Sequence, residues 1–275
     1  MKVLISADLE GISGIVHAAE TNPGGNDYER GRALMTADVN AAVAGVLEAM
    51  PRADVLVADA HGSFRNLLPD ELDRRARLVR GRPRPLGMLS GLDDTTDALL
   101  FVGYHARSGS GPAVLAHTLN DAVLDIRVDG RPMGEIGLNA AMAGHHQAPV
   151  VLLTGDDAAC AEFLDLVPGA TTVAVKHATG QAAATVLHPE QARDQIHRAA
   201  AKAIRRTDRV PLLTVPGPVR VDIDLHSPDG LDLATLIPGV TRSPGARTLT
   251  FTADDMAQAY GLVQLVAQLT QLKPA

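Results

Sequence analysis

The sequence predicts an α/β fold, a mainly parallel sheet flanked by helices, followed by a smaller α+β domain. Three observations predict it. Short aliphatic runs alternate with longer helical segments through the first two thirds of the 275-residue chain. The texture changes near Pro168-Gly169. Beyond that point, segments alternate apolar and polar residues with a period of two, as half-exposed antiparallel strands do. The boundary is therefore expected at residue 170, with an α/β domain over 1–170 and the smaller domain over 171–275.

Each element follows from local pattern. Lys2 to Ala7 is a buried strand, Asp8-Leu9-Glu10 extends it, and Gly11-Ile12-Ser13-Gly14 breaks it. A polar loop, Asn22 to Asp27, leads to an Ala-rich helix from Tyr28 to Met50, which Pro51 closes. Val55 to Ala58 is the second strand. Asp70 to Arg77 reads as a short helix and Leu78 to Gly81 as a brief strand. Leu99 to Gly103 is a strand, and Leu124 to Val128 runs into the Asp129-Gly130 turn. Gly137 to His146 is helical, Val150 to Thr154 is a strand, and Asp156 opens a helix to Leu166. Thr171 to Val175 is β-branched. His188-Pro189 precedes a helix to about Arg206. Val219 to Leu225 and Arg247 to Thr252 are period-two strands, and a last helix runs from Ala253 to about Leu272.

Composition excludes several classes of function. Hydrophobic residues make up 46% of the chain, enough for a sizeable core, but aromatics are 3% and Trp is absent, which leaves little for base stacking. A net charge of -7 argues against a nucleic-acid partner. The single cysteine, Cys160, forbids an intrachain disulfide and a cysteine-based zinc cage. No apolar run reaches the ~18 residues of a membrane span. The amino terminus is too short and too acidic for a secretory signal, so a cytoplasmic protein is expected.

The chemistry concentrates at strand ends. Asp8 and Glu10 leave the first strand at i and i+2, on one face. Two more apolar runs end in Asp59-Ala60-His61 and Gly103-Tyr104-His105. Ligands of open α/β sheets bind beyond the carboxyl ends of the strands. Two adjacent carboxylates repel, so a cation is expected between them. Carboxylate and imidazole donors without thiolate suit Zn²⁺, Mn²⁺ or Fe²⁺. Glu135 is a further candidate ligand, although locally it reads as an acid in the first turn of a helix, where the dipole favours it. Five ligands exceed what one catalytic zinc takes, which points to two metals sharing a carboxylate. His117 follows a glycine-rich loop that starts just after His105. Near a metal site it would serve as proton shuttle or nucleophile; by itself it reads as a surface loop histidine.

Other features read as structural. His145-His146 ends a helix, Cys160 is a small buried hydrophobe, Asp156 and Asp157 cap a helix, and the arginines from Arg74 to Arg84 form a solvated face or a subunit contact.

Read in order, the motifs resemble the dipeptide-transport zinc D-aminopeptidase family. They are Ser6-Ala7-Asp8-Leu9-Glu10-Gly11-Ile12-Ser13-Gly14, Tyr28-Glu29-Arg30-Gly31-Arg32, Asp59-Ala60-His61, Gly91-Leu92-Asp93-Asp94, Gly103-Tyr104-His105-Ala106-Arg107 and Gly134-Glu135-Ile136-Gly137-Leu138-Asn139-Ala140. The resemblance implies two Zn²⁺ per subunit, held by Asp8, Glu10, His61, His105 and Glu135, with Asp8 as the bridge. It implies that His117 is catalytic, that the substrate is a short peptide such as D-Ala-D-Ala, and that the subunits form a homodecamer. Two rival readings stand beside it: a two-metal phosphoesterase, for which Arg107 is the nearest cation in sequence, and a non-catalytic, metal-stabilised peptide-binding oligomer.

Overall fold

The computed structural model describes residues 1–243 and 247–272; residues 273–275, the end of the expected second domain, and 244–246 lie outside the described residues. The strands are β1 (Lys2–Ala7), β2 (Asp54–Asp59), β3 (Ala76–Val79), β4 (Ala98–Tyr104), β5 (Val123–Val128), β6 (Arg131–Pro132), β7 (Val150–Asp156), β8 (Thr171–Gly180), β9 (Ala183–Val186), β10 (Val219–Leu225), β11 (Thr241–Arg242) and β12 (Thr248–Ala253). The helices are α1 (Tyr28–Ala49), α2 (Glu135–His145), α3 (Asp157–Leu166), α4 (Pro189–Ile204), α5 (Pro228–Ala234) and α6 (Met256–Leu269).

Seven strands form one sheet in the order β3-β2-β1-β4-β7-β8-β9, parallel except for β9. The chain leaves β1 toward β2 on one side and later returns to β4 on the other. That reversal opens a crevice beyond the carboxyl ends of β1, β2 and β4. Alternation along β1 divides two cores. Val3, Ile5 and Ala7 pack with Val39 and Val43 of α1 and Ile196 of α4. Leu4 faces the other way, into a core shared with α2, α6 and the second sheet.

The second sheet has the order β11-β12-β10-β5-β6 and is antiparallel throughout. Its period-two pattern is realised. Val219, Val221, Ile223 and Leu225 are buried, as are Leu249, Phe251 and Ala253. On the opposite face Arg127 pairs with Asp125 and Asp224.

The sheets cross the expected boundary at residue 170. β8 and β9, beyond it, complete the first sheet, while β5 and β6, before it, belong to the second. Parallel pairing of β8 with β7 and antiparallel pairing of β5 with β10 decide membership, not chain order. Asp70 to Arg75 forms turns rather than a helix, and Ala76 and Arg77 already belong to β3. The Asp73 carboxylate accepts from the Arg75 backbone N–H at 2.9 Å, a local bond that competes with helical pairing. The first strand stops at Ala7, and Leu9 to Gly14 turn instead of extending it.

Candidate metal centre

Backbone contacts at the crevice fix the donors before any side chain does. The Asp8 N–H donates to the Val102 carbonyl at 2.8 Å, and the Gly11 N–H to that of Gly103 at 2.7 Å. The turn therefore lies directly on the end of β4. A Cβ at Gly11 would stand 2.0 Å from the Tyr104 carbonyl oxygen, and Gly103 has φ +74°, so both positions require glycine. His61 follows β2, His105 follows β4, and Glu135 is the first residue of α2. The structure brings these residues together, all nearly excluded from solvent.

The arrangement centres on Asp8. Its Oδ1 lies 3.3 Å from His61 Nδ1 and its Oδ2 lies 3.4 Å from His105 Nε2. Glu10 Oε2 is 2.9 Å from His61 Nδ1, and Glu135 Oε1 is 3.5 Å from His105 Nε2. His117 joins from its loop: its ring stacks on that of His105 at 4.1 Å, and its Nε2 is 3.8 Å from Glu135 Oε1. Asp8, Glu10 and His105 each offer a ligand atom within 4.8 Å of the others, and so do His105, His117 and Glu135.

Backbone carbonyls set the imidazole tautomers. His61 Nε2 donates to the Thr21 carbonyl, His105 Nδ1 to that of Ala106 and His117 Nδ1 to that of Leu115, each at 2.9 Å. The other nitrogen of each ring is left as a lone pair facing carboxylate oxygens. A lone pair facing an anion is a repulsive contact unless a proton or a metal stands between. His105 Nε2 is buried and has no hydrogen-bond partner. A second bond that fixes the ring is typical of ligating histidines. The donor set of carboxylates and imidazoles, with no thiolate, fits Zn²⁺.

Electrostatics point the same way. Burial, then the charge of Glu10, pushes Asp8 up to about 7. Burial alone would lower His61 and His105, but the carboxylates overcome it and hold both well above the usual imidazole range. Burial also opposes ionisation of Glu10 and Glu135, and the imidazoles overcome that and lower both. These groups compete for too few protons, a demand that divalent cations satisfy.

Three supports were not foreseen in the sequence. Lys176 is fully buried, and its Nζ donates to the carbonyls of Glu10 at 2.5 Å, Ile12 at 3.0 Å and Ile15 at 2.6 Å. Asp59 turns away from the site, where its carboxylate accepts from the N–H groups of Asn66 and Leu67. Asn66 in turn donates to the His61 carbonyl at 2.6 Å and accepts from the Tyr28 hydroxyl. Beneath the centre, Ser6, Tyr104, Asn139 and Tyr260 form a buried chain of hydrogen bonds that ties β1 and β4 to α2 and α6.

Most of the residues read as structural behave so. Asp156 caps α3 by accepting from the Ala159 N–H, and burial pushes the Cys160 thiol up to about 12. The arginine run is not uniformly a solvated face. Arg75 and Arg77 pair with Asp73 and Asp54 at the surface, but Arg84 stacks on Phe64 at 4.2 Å, and Arg82 lines a cavity of about 390 Å³ that opens onto the donors. Arg107 faces Asp125 at 3.9 Å and is not among the cavity-lining residues, so it is not placed to hold a phosphate there.

A switch-point crevice that gathers buried carboxylates and tautomer-fixed imidazoles around a cavity defines a metal-dependent hydrolase of α/β type. The chain belongs to the M55 peptidase family, the D-aminopeptidases, whose profile matches residues 1–265. It is 36% identical over 269 residues to a D-aminopeptidase of Bacillus subtilis (strain 168), covering 98% of this chain and 97% of that protein. It also matches the solved structure of the Zn-dependent D-aminopeptidase DppA from Bacillus subtilis, a self-compartmentalizing protease, with a TM-score of 0.96, 34% identity and full coverage of both chains. The protein is a hydrolase with aminopeptidase function, which the family favours over the phosphoesterase and binding-protein alternatives. Among the described residues no helix is long and apolar enough to cross a membrane.

Proposed function

We propose a binuclear zinc aminopeptidase that releases amino-terminal D-residues from short peptides such as D-Ala-D-Ala. The observation that carries the metal assignment is His105 Nε2, buried and partnerless between Asp8 and Glu135. Asp8, Glu10 and His61 would hold one ion, and Asp8, His105 and Glu135 the other. Asp8 suits the shared position because its two oxygens face different histidines. Bound there, zinc supplies Lewis acidity and lowers the pKa of water to about 7. His117, with Nδ1 held by the Leu115 carbonyl, presents Nε2 to carry a proton to the leaving amine. The walls of the cavity select handedness, since a metal pair has none. Similarity to a self-compartmentalizing protease supports a homo-oligomer, taken here as a cytoplasmic decamer, which sedimentation measures directly.

The test is chelation and zinc restoration over a panel of D- and L-dipeptides, with metal counted per subunit, repeated on His117→Ala. Two zinc ions per subunit are expected, with activity on D-dipeptides restored only with metal. His117→Ala should keep its metal and fold while kcat falls at least about 10²-fold. Restored wild type that hydrolyses no dipeptide ends the functional reading. A His117→Ala variant at full rate ends the proposed role of His117.

A further inference from the structure

An enzyme that works from the amino end of a peptide has no chemical need of a free carboxyl end, yet this cavity has a cation placed for one. Among the described residues lining the cavity, Arg82 is the only Arg or Lys. Its Nη1 donates to the Gly62 carbonyl at 2.9 Å, so the guanidinium stands one residue beyond His61. Its Nη2 donates to the amide oxygens of Gln268 at 2.8 Å and Gln271 at 3.3 Å, both of which also line the cavity. Phe64 lies under the group at 6.0 Å. All of these partners are neutral, and no carboxylate among the described residues forms an ion pair with Arg82. Three of the five N–H donors of the guanidinium are engaged, which leaves two donors and the whole charge unspent.

Position matters as much as charge. Asp8, Glu10 and Glu135 are buried at the floor, whereas Arg82 is exposed at the mouth. The cavity therefore carries a cation apart from its buried carboxylates, and Asp121 is the one exposed carboxylate that also lines it. Neighbouring Cα atoms are about 3.8 Å apart, and an extended dipeptide spans at most about 7 Å. Arg82 is joined through Gly62 to the turn that carries His61, and the guanidinium lines the same cavity as the donors.

We infer that Arg82 binds the free carboxylate of the substrate and makes the enzyme selective for dipeptide acids. This rests on the aminopeptidase reading, which supplies the amino-end chemistry at the floor. A carboxylate facing a guanidinium with no other charged partner forms a charge-assisted bond that an amide cannot match.

The experiment compares kcat/KM for D-Ala-D-Ala and for its carboxyl-terminal amide, on the zinc-loaded wild type and on Arg82→Gln. The wild type should favour the acid about tenfold or more, and Arg82→Gln should bring that ratio close to one, chiefly through KM for the acid. Equal wild-type rates on acid and amide overturn the inference. So does a preference that survives in Arg82→Gln, because Arg82 would then only brace the Gly62 turn and slow both substrates alike. If Arg82→Gln does not fold, Arg82→Lys replaces it: a weakened acid preference supports the inference, and an unchanged one overturns it. A wild type that cleaves neither substrate marks failure of the aminopeptidase reading instead.

Discussion

Replacing Lys176 with Met tests whether the donor turn is held from below. Met keeps the length and much of the packing of the lysine stem but removes its donors. Three buried carbonyls, those of Glu10, Ile12 and Ile15, would lose their partner. A bare buried acceptor costs about 2 kcal/mol, or about 6 kcal/mol for three. Against this, Met escapes the burial that lowers the lysine from 10.5 to about 8. That penalty corresponds to about 3 kcal/mol. The net loss is about 3 kcal/mol, within the 5–15 kcal/mol or so that holds a typical domain. Lys176→Met should therefore fold and melt several degrees lower. Its zinc affinity should fall as well, because the released turn carries Glu10. The assay is thermal unfolding of the chelated protein beside a zinc titration, with the exposed Lys202→Met as control. Melting and zinc binding equal to wild type would refute the reasoning, since the three carbonyls would then have found other partners at no cost.

Two further predictions concern buried polar groups. Burial, opposed by the Ser13 N–H and hydroxyl and by Arg193, pushes Asp38 up to about 6 from 3.8. Between those values the folded chain binds more protons than the unfolded one, so the contribution is complete below pH ~4 and is lost as pH rises through about 6. Stability of Asp38→Asn relative to wild type should thus rise by about 3 kcal/mol between pH 4 and 7, and parallel denaturation curves would exclude it. Asn66→Ala removes the bonds to Asp59, to the His61 carbonyl and to Tyr28, and should cost about 3 kcal/mol. It should also weaken zinc binding about 10- to 100-fold, which competition with a chromogenic chelator reads; undiminished affinity would show that His61 needs no such brace.

The parallel strands and the position of Asp8, Glu10, His61 and His105 were legible because each lies in or just after an apolar run. Such runs announce themselves locally, and the rule that ligands gather at carboxyl ends does the rest. Glu135 and His117 were legible only through the order of family motifs, since their neighbours in sequence fit a helix start and a loop equally well. Lys176 was not legible. In Thr171 to Lys176 a lysine after alternating apolar residues reads as a solvent-facing strand position, and only the fold shows three carbonyls above it. Asp59 is the opposite case. It ends β2 as a ligand would, yet backbone N–H groups of the next loop capture its carboxylate. Sheet membership was hidden for a similar reason, because β5 pairs with a strand about a hundred residues away.

The two sheets meet in the site itself. The first supplies Asp8, His61 and His105 from neighbouring strands β1, β2 and β4. Glu135 arrives differently, at the start of the helix that follows the β5–β6 hairpin of the second sheet. Its Oε1 also accepts from the Leu119 N–H at 2.7 Å, in the loop that carries His117. One carboxylate therefore ties the second sheet, the loop of His117 and His105 together. A shift of the second sheet against the first would move Glu135 and His117 as a unit while leaving Asp8, Glu10 and His61 in place. Asp8, Glu10 and His61 come from one sheet, whereas the place of Glu135 depends on the contact between both. The chain of hydrogen bonds from Ser6 through Tyr104 and Asn139 to Tyr260 lies at that contact, so its burial is what keeps the two halves in register.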